Sequence, residues 1–304
     1  MEASESQVMI GIGGWEHDVF DQSLYPRRGM SSAEKLRYYA RFFDCVEVRA
    51  TFWDGALSAQ DAREWAGAVA GRSSFRFTVK LHSSFTHAME CTSVHARNTR
   101  SLLQELARHD CLGALLMQFP YSFTNTGSHR SHLVKLAAIF SGYPLRVELR
   151  HESWQPSLLG FLAEHALLPV SADLPRMRQY IPFITGTVGD EAYLRLHGRN
   201  EKGWLLNGID TRYDYLYNSR EVRELTRRVD GLRQHCRRIT IICNNTTSAK
   251  AIANAFQLQA SFRRSKSVAV PPASLRAFPQ LSGIAAPVEP SESLFEDETF
   301  RVAM

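Results

Sequence analysis

The sequence predicts an α/β fold, a TIM-like (β/α)8 barrel, and three observations lead there. Eight short apolar or alternating runs recur between residues 8 and 245. Helical patterns lie between most of them. The whole spans roughly 250 residues, the usual size of eight β/α units. A doubly wound open sheet is the competing arrangement, and the strand count favours the barrel.

The eight runs are VMIGIGG (8–14), CVEVRAT (45–51), FRFTVKLH (75–82), LGALLMQF (112–119), LRVELRH (145–151), LLPVSAD (167–173), AYLRLHG (192–198) and ITIICNN (239–245). Between the first two, SSAEKLRYYARFF (31–43) offers Ser31 and Glu34 as a capping box, with Leu36, Tyr39, Ala40 and Phe43 on one face. Similar stripes run through 58–71, 96–110, 128–140, 156–165, 219–238 and 247–260. The stretch 174–191 shows no helix. Residues 199–218, rich in Gly, Asn and aromatics, are expected to form a structured loop over the barrel mouth. Residues 263–304 are rich in Pro, Ser and charge without a sustained period. They read as a flexible, disordered extension to a barrel domain of residues 1–262.

Composition sets the class. The chain has 304 residues, 44% hydrophobic and 22% charged, which suits a globular protein. No apolar run reaches the roughly 18 residues of a membrane span, and the acidic N-terminus lacks the basic region of a signal peptide. Cys45, Cys91, Cys111, Cys236 and Cys243 are scattered with no C-x-x-C, which suggests a reducing compartment, the cytoplasm by default. The net charge of +5 favours anionic partners without specifying nucleic acid. The arginines of 219–238 read first as the solvated face of a helix.

Four strands share one pattern. In RVELRHESW (146–154), Val147 and Leu149 alternate with Glu148 and Arg150. Glu47 and Arg49 oppose Val46 and Val48; Arg76, Thr78 and Lys80 oppose Phe77 and Val79; Arg195 and His197 oppose Leu194 and Leu196. The outside of a barrel strand packs on helices and must be apolar, so the charged faces are expected inside, with their last residues at the upper mouth.

These runs, together with IGIGGWEHDVFDQSLYP, VEVRATFW, FRFTVKLHSSFTH, LGALLMQFP, VELRHESW, YLRLHGR, YDYLYN and NNTTSAKAIANA, resemble the successive motifs of domain-of-unknown-function family 72, the YecE-like proteins. The resemblance covers about residues 8–260 and implies a TIM-like barrel; the family's biochemical role is not established. This chain departs from the family pattern in places. Arg49 and Trp53 stand where Asn and Tyr are usual, Ile12 and Gly13 replace Thr and Ser, and Thr246 and Ala249 replace His and Gly.

Three chemistries compete for the mouth. Lys80, Arg150, Arg195 and Arg199, with Glu47 and Arg49 nearby, suit a phosphate or carboxylate. Glu148, His151, Asp173 and His197, with His87 of the family-like FTH motif, are candidates for acid–base work, Glu148 as base and His197 as acid. Glu148, Asp173 and His197 form a conceivable metal triad, which the neighbouring cations oppose, so no metal site is assigned. Trp15, Trp53, Trp154, Trp204 and Tyr213 are candidates for stacking on a ligand, and Gln118, Asn244 and Asn245 for orienting one. GIGG is no dinucleotide fingerprint, because Glu16 occupies its third glycine position, and no motif specifies a cofactor. The expected partner is an anionic, phosphorylated small molecule, turned over by hydrolysis or isomerisation. The alternatives are a nucleic-acid binder or phosphodiesterase, and a non-catalytic interaction protein.

Overall fold

The computed structural model describes residues 6–205, 209–263 and 265–286. Eight parallel strands close into a barrel in sequence order, the first pairing with the last. They are β1 (Gln7–Gly13), β2 (Cys45–Val48), β3 (Arg76–Lys80), β4 (Leu112–Gln118), β5 (Leu145–Glu148), β6 (Leu168–Asp173), β7 (Glu191–Leu196) and β8 (Arg238–Cys243). The helices are α1 (Ser32–Tyr39), α2 (Ala59–Ala68), α3 (Ser83–Thr86), α4 (Ser93–Arg108), α5 (Gly127–Ile139), α6 (Leu158–Glu164), α7 (Glu201–Leu205), α8 (Ile209–Arg212), α9 (Ser219–Arg233), α10 (Lys250–Phe262) and α11 (Pro272–Ala277). Each of the eight sequence runs is a strand, and 174–190 contains no helix.

Side-chain parity builds two separate apolar regions. Val46, Val48, Phe77, Val79, Val147, Leu149, Leu194 and Leu196 face outward into the large core shared with the helices. Inside, Met9, Cys45, Leu116, Val170, Tyr193 and Ile242 form a small layer of their own. The first helix locks the β1–β2 seam to this frame. Ser31 accepts from the Glu34 amide, and Glu34 reaches back to the Ser31 amide. At the other end of α1 the Tyr39 hydroxyl accepts from the Ile12 amide at 2.7 Å and donates to the Cys45 carbonyl at 2.9 Å. Gly11 is required at this seam, since a Cβ there would lie 2.0 Å from the Cys45 carbonyl oxygen.

The C-terminal stretch corrects the expectation of a flexible tail beginning at residue 263. Residues 265–286 pack against the barrel: Val268, Val270, Ala273 and Leu281 are buried, Pro271 and Pro272 open α11, and Ser274 donates to the Ser23 carbonyl at 2.6 Å. The Pro- and Ser-rich composition concealed a short apolar set that docks without a helical or strand period. The remainder of the expected tail, 287–304, lies outside the described residues, as do 206–208 of the expected mouth loop. No helix among the described residues is long and apolar enough to cross a membrane. All five cysteines are free thiols.

Candidate anion site at the barrel mouth

Above the inner apolar layer, the next inward residues form a charged layer. Arg195 on β7 makes a two-pronged contact with Glu47 on β2, Nε to Oε2 at 2.8 Å and Nη2 to Oε1 at 2.6 Å. Its third nitrogen, Nη1, donates to Glu148 Oε2 on β5 at 2.6 Å. Arg150, two residues after Glu148, pairs with Glu148 Oε1 through Nη2. His197, two residues after Arg195, lies 3.3 Å from the same Oε1, and Asn244 after β8 places its amide nitrogen 2.9 Å from His197 Nδ1. Strand period two therefore stacks Glu47 with Arg49, Glu148 with Arg150 and Arg195 with His197 in consecutive inward positions.

The charges do not balance. Glu47 and Glu148 face Arg49, Lys80, Arg150 and Arg195. Arg150 is buried, yet its Nε and Nη1 have no hydrogen-bond partner among the described residues, and neither has Asn244 Oδ1. A buried guanidinium with unused donors is costly unless something accepts from them. Among the described residues Arg49 donates only to Thr246 Oγ1, at 3.3 Å, and burial lowers its proton affinity. No carboxylate among the described residues pairs with Lys80; its ammonium lies 3.7 Å from the centre of the Phe52 ring. Burial, then Arg195 and Arg49, lower Lys80 to about 7 against the pull of Glu47 and Glu148.

The same field settles the protonation of the inner pair. Burial works against the Glu148 carboxylate, but Arg150 and Arg195 outweigh it and hold it well below the ordinary carboxylate range. Burial, with Arg150 and Arg195 adding to it, lowers His197 to about 3 in spite of Glu148. The neutral ring lies between the Asn244 amide at Nδ1 and, at Nε2, the Glu148 carboxylate with Arg150 Nη2 at 3.4 Å and Arg195 Nη1 at 3.5 Å. A firmly ionised carboxylate is a weak base and a neutral imidazole a poor acid, so this pair suits holding Arg150 and Arg195 in place better than the proton transfer expected from the sequence.

Aromatic rings roof the layer. Trp204 of α7 and Tyr213 after α8 lie 6.5 and 5.9 Å from His197, and the Arg150 guanidinium sits 5.3 Å from the Trp204 ring. Tyr180, from the long β6–β7 connection, meets Trp204 at 6.1 Å and stacks on Tyr121 at 4.7 Å. His87, at the end of α3, packs its ring 4.9 Å from Phe52; burial, Lys80 and Arg150 lower it to about 4, so it is neutral at pH 7.

Glu47, Arg49, Lys80, Gln118, Glu148, Arg150, Arg195, His197 and Asn244 thus share the interior or its mouth, with His87 at the rim. The other candidates lie elsewhere. Asp173 is in register with Leu196, on the outer face, where Arg199 clamps it at 2.8 and 2.7 Å and Tyr217 donates at 2.8 Å. Asp173 and Arg199 therefore belong to a separate outer cluster, and the triad of Glu148, Asp173 and His197 is not assembled. His151 caps the turn at Glu152–Trp154 and packs its ring 4.9 Å from Tyr121, at the edge of the roof and without a contact to the charged layer among the described residues. Asn245 ties Tyr215 to Asn254 of α10. Trp15 donates to Ser32 and meets Trp65 edge-on; Trp154 is fully buried and donates to the Phe123 carbonyl. Both are packing residues, and Trp53 is 73% exposed.

Sequence reasoning missed Phe52, the seat of Lys80, and Tyr180, which sits in a stretch with no periodicity to read. One signal did point here. Three of the departures from the family pattern meet in space: a Cβ at Gly13 would lie 3.2 Å from Arg49 Cδ and 2.5 Å from Asn244 Oδ1, and Arg49 itself reaches Thr246. Loss of the side chain at residue 13 makes room for the long one at residue 49.

The comparisons with known proteins agree on the fold and stop short of an activity. The family model described as "Protein of unknown function DUF72" matches residues 9–277. The UPF0759 protein YunF of Bacillus subtilis (strain 168) is 25% identical over 270 residues, covering 83% of this chain and 93% of that protein. A crystal structure of a DUF72 family protein from Thermotoga maritima MSB8 is 28% identical with a TM-score of 0.72, covering 83% of this chain and 98% of that one. One from Enterococcus faecalis V583 is 25% identical with a TM-score of 0.73, covering 84% and 95%.

Proposed function

This chain belongs to the DUF72 family of proteins of unknown function, and we propose that its barrel mouth binds a small anionic molecule through a phosphate or carboxylate group. The observation that carries this reading is the surplus of buried positive charge. After Arg195 is committed to Glu47 and shares Glu148, Arg150 keeps two unpartnered donors, and Arg49 and Lys80 have no carboxylate of their own. An oxyanion near Arg150 would accept from its free edge and offset the surplus. Glu47, Glu148, Arg195 and His197 form the frame beneath it. Acid–base isomerisation or hydrolysis of the bound anion is the chemistry assigned to the site. Lys80 is the group best suited to exchange protons near neutrality.

The test uses inorganic phosphate and pyrophosphate as probes in thermal unfolding. Both are expected to stabilise the protein, by about 2.7 kcal/mol at a hundred times the dissociation constant. Arg150→Ala and Arg49→Ala should lose the effect and Arg199→Ala should retain it. Equal stabilisation of Arg150→Ala and wild type would overturn the assignment.

A second reading, nucleic-acid binding, draws on a groove of about 750 Å³ outside the barrel, lined by Asp173, Arg176, Arg199, Arg220, Glu224 and Arg228. Its carboxylates already occupy Arg199 and Arg228, which leaves less unmatched charge than the mouth. A single-stranded oligonucleotide whose affinity falls steeply with salt, and depends on Arg176 and Arg220, would favour it.

A further inference from the structure

The chain holds 30 arginines and only six lysines, and the residues that frame the mouth follow that bias except at one position. Arg49, Arg150 and Arg195 supply permanent charge. Lys80, the last residue of β3, presents instead an amine, which loses its proton far more readily than a guanidinium. Its placement is unusual for a structural lysine. The side chain is partly buried, its nitrogen sits over the face of Phe52, and no carboxylate among the described residues anchors it. The charged and titratable groups facing it are Arg195 on β7, Glu47 on β2, Arg49 after β2, Glu148 on β5 and His87 at the end of α3. A lysine that only had to bind an anion would gain from a full charge, whereas burial beside the Arg195 and Arg49 guanidiniums favours the free amine.

We propose that Lys80 is a nucleophile that forms an imine with an anionic carbonyl compound, whose acidic group is held by Arg150 and Arg49. The inference rests on the anion-binding reading of the mouth and narrows its ligand class to oxo-acids and phosphorylated aldehydes or ketones. The lone pair of the neutral amine attacks the carbonyl carbon and forms the C–N bond, while a proton moves from nitrogen to the carbonyl oxygen. The carbinolamine hydroxyl leaves with a proton from solvent as water, and the C=N bond forms. No oxidant or reductant enters. The protonated imine then withdraws electrons from the adjacent carbon, which is the means by which such a site isomerises an anionic sugar or keto acid. At pH 7 an unperturbed lysine holds roughly one part in a few thousand as free amine. Lys80, lowered to about 7, holds about half.

The probes are pyridoxal 5′-phosphate, an anionic aldehyde, and pyridoxal, its phosphate-free counterpart. Each is trapped by borohydride on the full-length protein at pH 7 and mapped by peptide mass spectrometry. Pyridoxal phosphate is expected to label Lys80 at least ten-fold more than any of the other five lysines, with the Lys80 rate half-maximal near pH 7. Lys80→Met, which keeps a side chain over Phe52, should lose that label while unfolding at the wild-type temperature. Should the variant not fold, the wild-type map alone decides. Label spread evenly over the lysines, or absent from residue 80, overturns the proposal. The two readings fail separately. Pyridoxal labelling Lys80 as well as its phosphate would sink the anion site and keep the nucleophile. Phosphate-dependent stabilisation without an adduct at Lys80 would do the reverse.

Discussion

Two arginine–carboxylate clusters lie on opposite faces of neighbouring strands, and they differ in what is left over. On the outer face, Asp173 receives both prongs of Arg199 and the Tyr217 hydroxyl, with Arg228 at 3.6 Å; Arg199 in turn reaches Glu224 at 3.2 Å and Glu221 at 3.7 Å. Among the groups in direct ion-pair contact there, three carboxylates meet two guanidiniums. On the inner face, two carboxylates serve four basic groups, and Arg150 is left with unused buried donors. The same residue types make a closed structural lock in one place and an open receptor in the other. Function is read from the imbalance, since the presence of ion pairs alone does not distinguish the two.

The strongest way to break this comparison is to remove the central arginine of each cluster. Arg195→Leu would strand Glu47, which is 0% exposed and has no other guanidinium in contact among the described residues. An uncompensated buried carboxylate costs about 3–5 kcal/mol. Arg199→Leu leaves the buried Asp173 with the Tyr217 hydroxyl and the Arg228 guanidinium as remaining partners, so about 1.5–3 kcal/mol is expected. Urea unfolding of both variants compares them directly. Equal losses would mean that the inner layer is no drier or more demanding than the outer one.

Acid should sharpen the comparison next. Burial, with Arg150 and Arg195 adding to it, lowers His197 to about 3, whereas Glu148 is held well below the carboxylate range because Arg150 and Arg195 outweigh burial. Below pH 6.5 the unfolded chain binds a proton at residue 197 that the folded protein refuses. The stability from the neutral ring is therefore fully present above 6.5 and is lost as pH falls toward 3; Glu148 adds a further loss below about 4.5. His17, His82 and His87 shift in the same direction, each led by burial. His197→Gln should thus remove about one proton's share of the slope between pH 6 and 4.5, at most about 1.4 kcal/mol per pH unit. An unchanged slope in that variant would show that His197 is protonated in the fold.

How much of this could be read from the sequence depends on parity. In β2, β3, β5 and β7 the charged and apolar residues alternate, and the assignment of charge inward places Glu47, Lys80, Glu148 and Arg195 correctly. The strand β6 alternates just as cleanly, with Leu168, Val170 and Ala172 against Ser171 and Asp173, but its sense is reversed. Val170 belongs to the inner apolar layer and Ala172 is in register with Arg195. The reason lies in the connection that follows. No helix covers the outer face after β6; the 174–190 segment does, and it offers polar partners such as the Ile184 carbonyl to Ser171. The missing helix was visible in the sequence, while its consequence for Asp173 was not. The unpaired donors of Arg150 were equally out of reach, because hydrogen-bond satisfaction depends on distances that no spacing rule supplies.

The smallest predicted effect contrasts the departures from the family pattern on the two faces. Inside, Gly13 and Arg49 fit one another. Outside, Ala249 stands where the family resemblance implies Gly, and it is buried with φ 59°, next to Ser248 at φ 55°. A side chain in the left-handed region is strained by about 1–2 kcal/mol. Ala249→Gly trades the loss of one buried methyl and a more flexible unfolded chain for relief of that strain. It is expected to be neutral or stabilising by up to about 1 kcal/mol. Ala253→Gly, equally buried but within α10, removes a methyl from a relaxed helical residue and should cost about 1 kcal/mol or more. Thermal unfolding of the two variants gives opposite signs, or at least a difference of about 1–2 kcal/mol, if the outer departure is stored strain. If Ala249→Gly costs as much as Ala253→Gly, the αL conformation is relaxed in its surroundings, and the outer departure is as well accommodated as the inner one.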